Sequence, residues 1–192
     1  MTLFKAYLDA GVLVAYGLGR GDFHYEDARA VINDILQGNL KGVVSLLALL
    51  ETKDVIRKRI VSKTPKNVLD TKSVDQKKEY IRQESGRRYK ELIDKLTRAA
   101  KAKKILLVKH DGTDIADVLT MCDDLLTSKF GDIKLYHRCW QCRRNYEHYS
   151  YKGIGPIDAM HFDLAKRVPC EVFVTTDKGF GGLDGEIQVS II

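Results

Sequence analysis

The sequence predicts an α/β fold, a three-layer α/β/α sandwich around a central, mainly parallel five-stranded sheet. Three observations predict it. Short β-prone runs alternate with helical stretches along the chain. Those runs are almost wholly apolar, as strands covered on both faces are. Two of them end on an aspartate, and polar residues just past the carboxyl ends of parallel strands are where such folds bind ligands.

The first strand is expected at residues 3 to 9, where LFKAYLD is apolar and carries β-prone Phe4 and Tyr7. A helix is expected from Asp22 as N-cap, with Glu26 and Asp27 in its first turn and Gly38 as its stop. Ala28, Val31, Ile32, Ile35 and Leu36 give it one apolar face. GVVS at 42 to 45 reads as a strand, and Ser45 can cap the helix LLALLETKDVIRKRI that follows. Pro65 and Asn67 mark a break before a long helix starting near Ser73. Its second half is amphipathic through Tyr89, Leu92, Ile93, Leu96 and Ala100, and Ser85 with Gly86 leaves a division into two helices open. ILLV at 105 to 108 is a strand run; Ile115, Val118, Leu119, Cys122, Leu125 and Leu126 then keep helical spacing. Pro156 opens a helix to about Arg167, EVFVTT at 171 to 176 is a β-branched and aromatic strand, and IQVSII supplies the last.

A chain of 192 residues suits one domain, 1–192, carrying a basic helical segment at about 62–104 and an irregular insertion at about 130–155. Hydrophobic residues make up 44% and charged ones 30%, with a mean hydropathy of -0.24, which excludes a largely membrane-embedded protein. Lys5 and Asp9 interrupt the apolar start, so neither a signal-peptide core nor a spanning run is read there, and the expected location is the cytoplasm. The net charge of +6 is unevenly spread: Lys53 to Lys104 holds 18 Lys or Arg against 7 Asp or Glu, and the rest of the chain is net acidic. A polyanion-binding surface and an acidic site are therefore expected in different parts of the sequence.

The acidic candidates are Asp9, Glu51, Asp158 and Asp177. Asp9 and Asp177 end strands, although a single aspartate there is more often a turn residue. Glu51 emerges from a helix face whose neighbours include Leu47, Ala48 and Val55, and Asp158 sits in the first turn after Pro156, where the helix dipole favours any acid. Four acids brought together would repel one another, and a hard divalent cation, Mg²⁺ or Mn²⁺, is the remedy. Such an ion polarises a water for in-line hydrolysis of a phosphodiester.

AYLDAGVLVAY with Asp9, SLLALLETKDV with Glu51, IDAMHFDLAKR with Asp158 and FVTTDKGF with Asp177 resemble, in order, the acidic motifs of the PIN-domain ribonucleases. The resemblance implies a PIN-like parallel five-stranded sheet, a Mg²⁺ or Mn²⁺ site, and hydrolysis of single-stranded RNA. It assigns Asp9 and Asp177 as principal metal ligands, Asp158 as a further ligand, Glu51 as a ligand or water-orienting group, and Thr175 as their support. Two departures concern the groups around the acids: Ala10 and Gly11 replace a small polar pair, and HFDL at 161 to 164 replaces a smaller run. The family includes the VapC-type toxins, whose partners are protein antitoxins; this chain is longer than those compact proteins. An inactive PIN-like module that binds RNA or protein, and a structure-specific DNA nuclease, are the alternatives.

For the basic segment, Arg57, Lys58, Arg59, Arg87 and Arg88 are the candidate RNA contacts, acting through phosphates. The competing reading is a solvated arm or an oligomer contact such as a homodimer. His137, Cys139, Cys142 and His148 contain one Cys-x-x-Cys half-site, too little to predict structural zinc. The interleaved aromatics there, Trp140, Tyr146, Tyr149 and Tyr151, suit either base stacking or the covering of a helix.

Overall fold

Alternation in the first strand sets the layers. In the computed structural model, which describes residues 4–109, 133–138, 145–150, 156–180 and 187–192, β1 (Lys5–Leu8) lies at the centre of a five-stranded sheet. Its successive side chains point to opposite faces. Ala6 and Leu8 enter one core with Leu13, Ile32, Ile35, Leu92 and Leu96, while Tyr7 enters the other with Phe162, Phe173 and Phe180. Each large side chain buried in this way contributes about 1.5–3 kcal/mol.

The other strands of the sheet are β2 (Lys41–Ser45), β3 (Ile105–Val108), β6 (Val172–Thr175) and β7 (Gln188–Ile191), in the order β3-β2-β1-β6-β7, all parallel. The chain runs outward from β1 to one edge and returns to β1's other side at β6. Parallel strands of this kind leave a crevice where the order reverses, beyond the carboxyl ends of β1 and β6. Leu8 pairs with Val174, so the residues following them, Asp9 and Thr175, come side by side.

Helices α1 (Ala10–Leu18), α2 (Tyr25–Gln37), α3 (Leu46–Lys63), α4 (Lys66–Asp70), α5 (Val74–Lys101) and α6 (Pro156–Arg167) supply the outer layers. Helix α1 is not predicted by the periodicity, because AGVLVAYGL is apolar all round. The structure buries Ala10, Val12, Leu13, Val14, Ala15 and Leu18, so no solvent face exists to mark it. The helix expected from Asp22 starts three residues later at Tyr25; Asp22 Oδ1 instead accepts from the His24 backbone N–H at 3.1 Å in the preceding turn. Ser45 caps α3 by accepting from Ala48 N, as expected. Helix α5 is one continuous element of 28 residues, opened by a capping box between Ser73 and Gln76. Gly86 costs it about 1 kcal/mol against alanine, and burial of Leu92, Leu96 and Ala99 more than offsets that.

The segment expected to be irregular contains an antiparallel pair, β4 (Ile133–Arg138) with β5 (Asn145–Ser150). The helix read from Ile115 to Leu126 and the Cys139/Cys142 pair lie outside the described residues. Cys170 is a free, buried thiol, pushed up to about 12 by burial and so inert as a nucleophile. No helix among the described residues is long and apolar enough to cross a membrane.

Candidate active site

Asp9 is the last residue of the β1 ladder and the first of the turn into α1. Its backbone N–H donates to Val174 O at 3.0 Å, and its side chain, 6% exposed, does not cap the helix it precedes. The carboxylate faces the end of β6, where Thr175 Oγ1 donates to Asp9 Oδ2 at 2.8 Å. The same hydroxyl oxygen accepts from Asp177 N at 3.0 Å. One buried hydroxyl therefore ties both strand-end acids together. Burial raises the Asp9 carboxyl above its ordinary value, against the opposing pull of His161, the Thr175 hydroxyl and the Ala10 N–H. Gly11, in the first turn of α1, packs against Thr176: a Cβ there would stand 2.2 Å from Thr176 Oγ1. The lack of a side chain at Gly11 is thus a steric fit to Thr176, just past β6.

Thr175→Val keeps the shape and removes the hydroxyl. It is expected to destabilise the protein by about 1–3 kcal/mol in urea unfolding, since Asp9 loses a donor and the Asp177 N–H an acceptor. Stability equal to the parent protein would show that the hydroxyl is dispensable.

Glu51 projects from the second turn of α3 and is held from behind. Its Oε2 lies 3.1 Å from His161 Nε2, and His161 Nδ1 lies 2.7 Å from the Tyr7 hydroxyl, which is also 2.8 Å from Ser45 Oγ. His161 and Tyr7 are fully buried. An ionised carboxylate only accepts, so the proton between Glu51 and the ring sits on Nε2. Burial pushes the Tyr7 phenol well above its usual range, keeping it protonated and able to donate. This chain of contacts joins β1, the end of β2, α3 and α6. The HFDL departure therefore carries a support for Glu51 that sequence reasoning missed.

Asp158 lies half-buried in the first turn of α6, and Asp177 follows β6, its Oδ1 accepting from Gly179 N at 2.7 Å. The turn role expected of a lone strand-end aspartate is thus present at Asp177, with the second oxygen left over. Asp9, Glu51, Asp158 and Asp177 all line a single cleft of about 300 Å³, with Gly11 and Thr176 between them. Asp22, His24 and Arg59 line it as well. Asp22 and His24 were not read as site residues; the capping role assigned to Asp22 in sequence accounted for its acid. Among the described residues no three histidine, cysteine or carboxylate side chains converge closely enough to hold an ion in direct contact.

The donors on offer are oxygens, and Asp9 is a carboxylate whose ionisation burial opposes, so a hard cation fits the cleft's chemistry. Mg²⁺ keeps several waters and takes one or two carboxylates directly, which suits acids that face one another across a gap. Of the candidate RNA contacts, Arg59 stands in the cleft wall and Arg57 is exposed on α3. Lys58 pairs with Asp54 at 2.6 Å, and Arg87 with Glu84 and Glu91 at 2.8 Å each. Arg88 pairs with Glu84 and donates to Leu18 O at 2.7 Å.

The backbone can be superposed on VapC20 of Mycobacterium tuberculosis, a sarcin-ricin loop cleaving toxin, with a TM-score of 0.50 over 95% of this chain and 98% of that one. The chain has the VapC-like PIN fold. At 12% identity this likeness to VapC20 is one of fold, and no protein-family model or curated protein matches the sequence. In this chain Asp9 and Asp177, just after β1 and β6, line the crevice at the reversal of strand order together with Glu51 and Asp158.

Proposed function

We propose that the protein is a Mg²⁺- or Mn²⁺-dependent endoribonuclease that hydrolyses RNA phosphodiester bonds in the cleft lined by Asp9, Glu51, Asp158 and Asp177. The observation that carries this reading is the meeting of four acids, from four distant chain segments, in one cleft at the carboxyl ends of β1 and β6. The RNA part draws on the fold shared with a toxin that cleaves the sarcin-ricin loop and on Arg59 in the cleft wall.

Asp9 and Asp177 would hold the cation from the strand ends, and Asp158 would bind it through one of its waters. When bound, Mg²⁺ or Mn²⁺ supplies charge neutralisation at the phosphate and polarises the attacking water. Thr175 keeps Asp9 oriented. Glu51, fixed through one oxygen by His161, presents its other to the cleft, where it accepts a hydrogen bond from the attacking water and aligns it. Arg59 offsets the negative charge of the RNA as it enters an acidic site. A homodimer and a protein antitoxin are the corresponding proposals for partners.

Titrating Mn²⁺ while following thermal unfolding, in parallel with cleavage of single-stranded RNA, tests the reading. At a concentration a hundredfold above its dissociation constant the ion stabilises the folded state by about 2.7 kcal/mol. An upward shift with cleavage that EDTA abolishes is expected. Cleavage undiminished in EDTA would refute metal dependence, and binding without cleavage of any RNA would favour the inactive module. Preferential cutting of branched or flapped DNA would favour the DNA nuclease.

A further inference from the structure

A second cavity, of about 220 Å³, adjoins the acidic cleft. It is lined by the apolar Leu18, Ile60 and Pro65, by Tyr80, whose ring carries Lys72 Nζ 5.7 Å from its centroid, and by the cations Arg59, Lys63 and Arg88. Arg59 lines both cavities, and the neighbours Gly21 and Asp22 line one each. The two spaces thus share the Arg59 side chain as a common wall.

We propose that this cavity is a subsite for a single unstacked nucleobase of the RNA, next to the bond that is cut. The proposal deepens the ribonuclease reading and rests on it. Several features favour a base. At about 220 Å³ the cavity falls below the roughly 300 Å³ at which sites for drug-sized ligands begin, which fits one ring system. An aromatic ring beside cations is the pairing by which single-stranded nucleic acids are held, the ring stacking on the base and the cations tracking the phosphates. Glu84, also on the wall, is taken up by Arg87 and Arg88 and holds the Arg88 guanidinium at the cavity.

The walls are held in place before any ligand arrives. Lys63 Nζ donates to Gly21 O, and Arg88 donates both to Leu18 O at 2.7 Å and to Glu84 at 2.8 Å. These bonds tie the end of α1 to α3 and α5. Arg59, by contrast, makes no ion pair among the described residues, so its guanidinium is available to a phosphate lying between the two cavities. Phe23, between the cleft residues Asp22 and His24 in sequence, is 95% exposed.

The test is an abasic scan. Short fluorescent single-stranded RNAs, each lacking one base in turn, are bound to the full chain in EDTA and followed by anisotropy, so that binding is read independently of cleavage. One position is expected to weaken binding by about tenfold in the parent protein, and that penalty is expected to fall below about twofold in Tyr80→Ala. Tyr80→Phe should retain it, and Tyr80→Leu replaces Tyr80→Ala if the latter does not melt like the parent. Equal penalties at every position, an unchanged penalty in Tyr80→Ala, or no RNA binding would overturn the subsite. Mapping cleavage with Mn²⁺ should place the cut beside the sensitive base, and a cut several nucleotides away would also overturn it. A sensitive position in binding with no cleavage under any metal would sink the ribonuclease reading and leave the base pocket standing.

Discussion

Asp9→Asn is expected to slow RNA cleavage by about a thousandfold while raising the melting temperature of the metal-free protein. The rate loss follows from the proposed role of Asp9 as a metal ligand, a cation's contribution to such a transition state being several kcal/mol and each 1.36 kcal/mol being tenfold. The gain in stability follows from burial. The carboxyl of Asp9 is raised in the folded state, mainly by desolvation, so the folded chain binds this proton more tightly than the unfolded chain does. The contribution is therefore favourable below the ordinary carboxylate value of 3.8 and is lost as pH rises from there through the raised value. Above the raised value the parent bears the full cost of a buried charge. Asparagine does not, and it can still accept from Thr175 Oγ1. The melting-temperature gap should close below pH 4 and reverse in saturating Mg²⁺, which stabilises only the parent. Equal melting temperatures at all pH values, or full activity in the variant, would refute the account.

His161→Leu is expected to destabilise the protein by about 2–4 kcal/mol, because it leaves Tyr7, Ser45 and Glu51 short of a common partner in an interior where each orphaned polar group costs about 1–3 kcal/mol. Urea unfolding should show a lower midpoint with an unchanged slope. Cleavage by the folded fraction should fall as well, since Glu51 is no longer held at 3.1 Å by the ring. Combining His161→Leu with Tyr7→Phe distinguishes a shared network from two separate packing defects. In a network the double variant loses much less than the sum of the singles. Strict additivity would mean that the contacts are independent.

The sheet was legible because its strands are apolar runs of the right length, and Asp9 and Asp177 because each ends such a run. Glu51 could be found from the apolar face it interrupts. Helix α1 could not, since burial on every side erases the periodicity that marks a helix. The β4–β5 pair was hidden for another reason: Tyr, His and charged residues are interleaved in IKLYHR and NYEHYS, so no apolar face marks either as a strand. His161 was visible only as an oddity in a motif. Local spacing says which face a residue occupies, but not that the ring of α6 will meet a phenol from β1 and a carboxylate from α3. The neighbouring base cavity is likewise a product of α1, α3 and α5 meeting, and no single segment encodes it.

The pairing of β1 with β6 joins Ala6 to Val172, and Thr175 reaches Asp9 across 166 positions of sequence. During synthesis, Asp9 is made long before Thr175 and Asp177 exist. With chain growth at roughly 5–20 residues per second, many seconds separate the two. Through that interval the nascent chain has half a cleft and nothing to complete it. The cleft proposed for cleavage is therefore incomplete until β6 has been made and has docked beside β1.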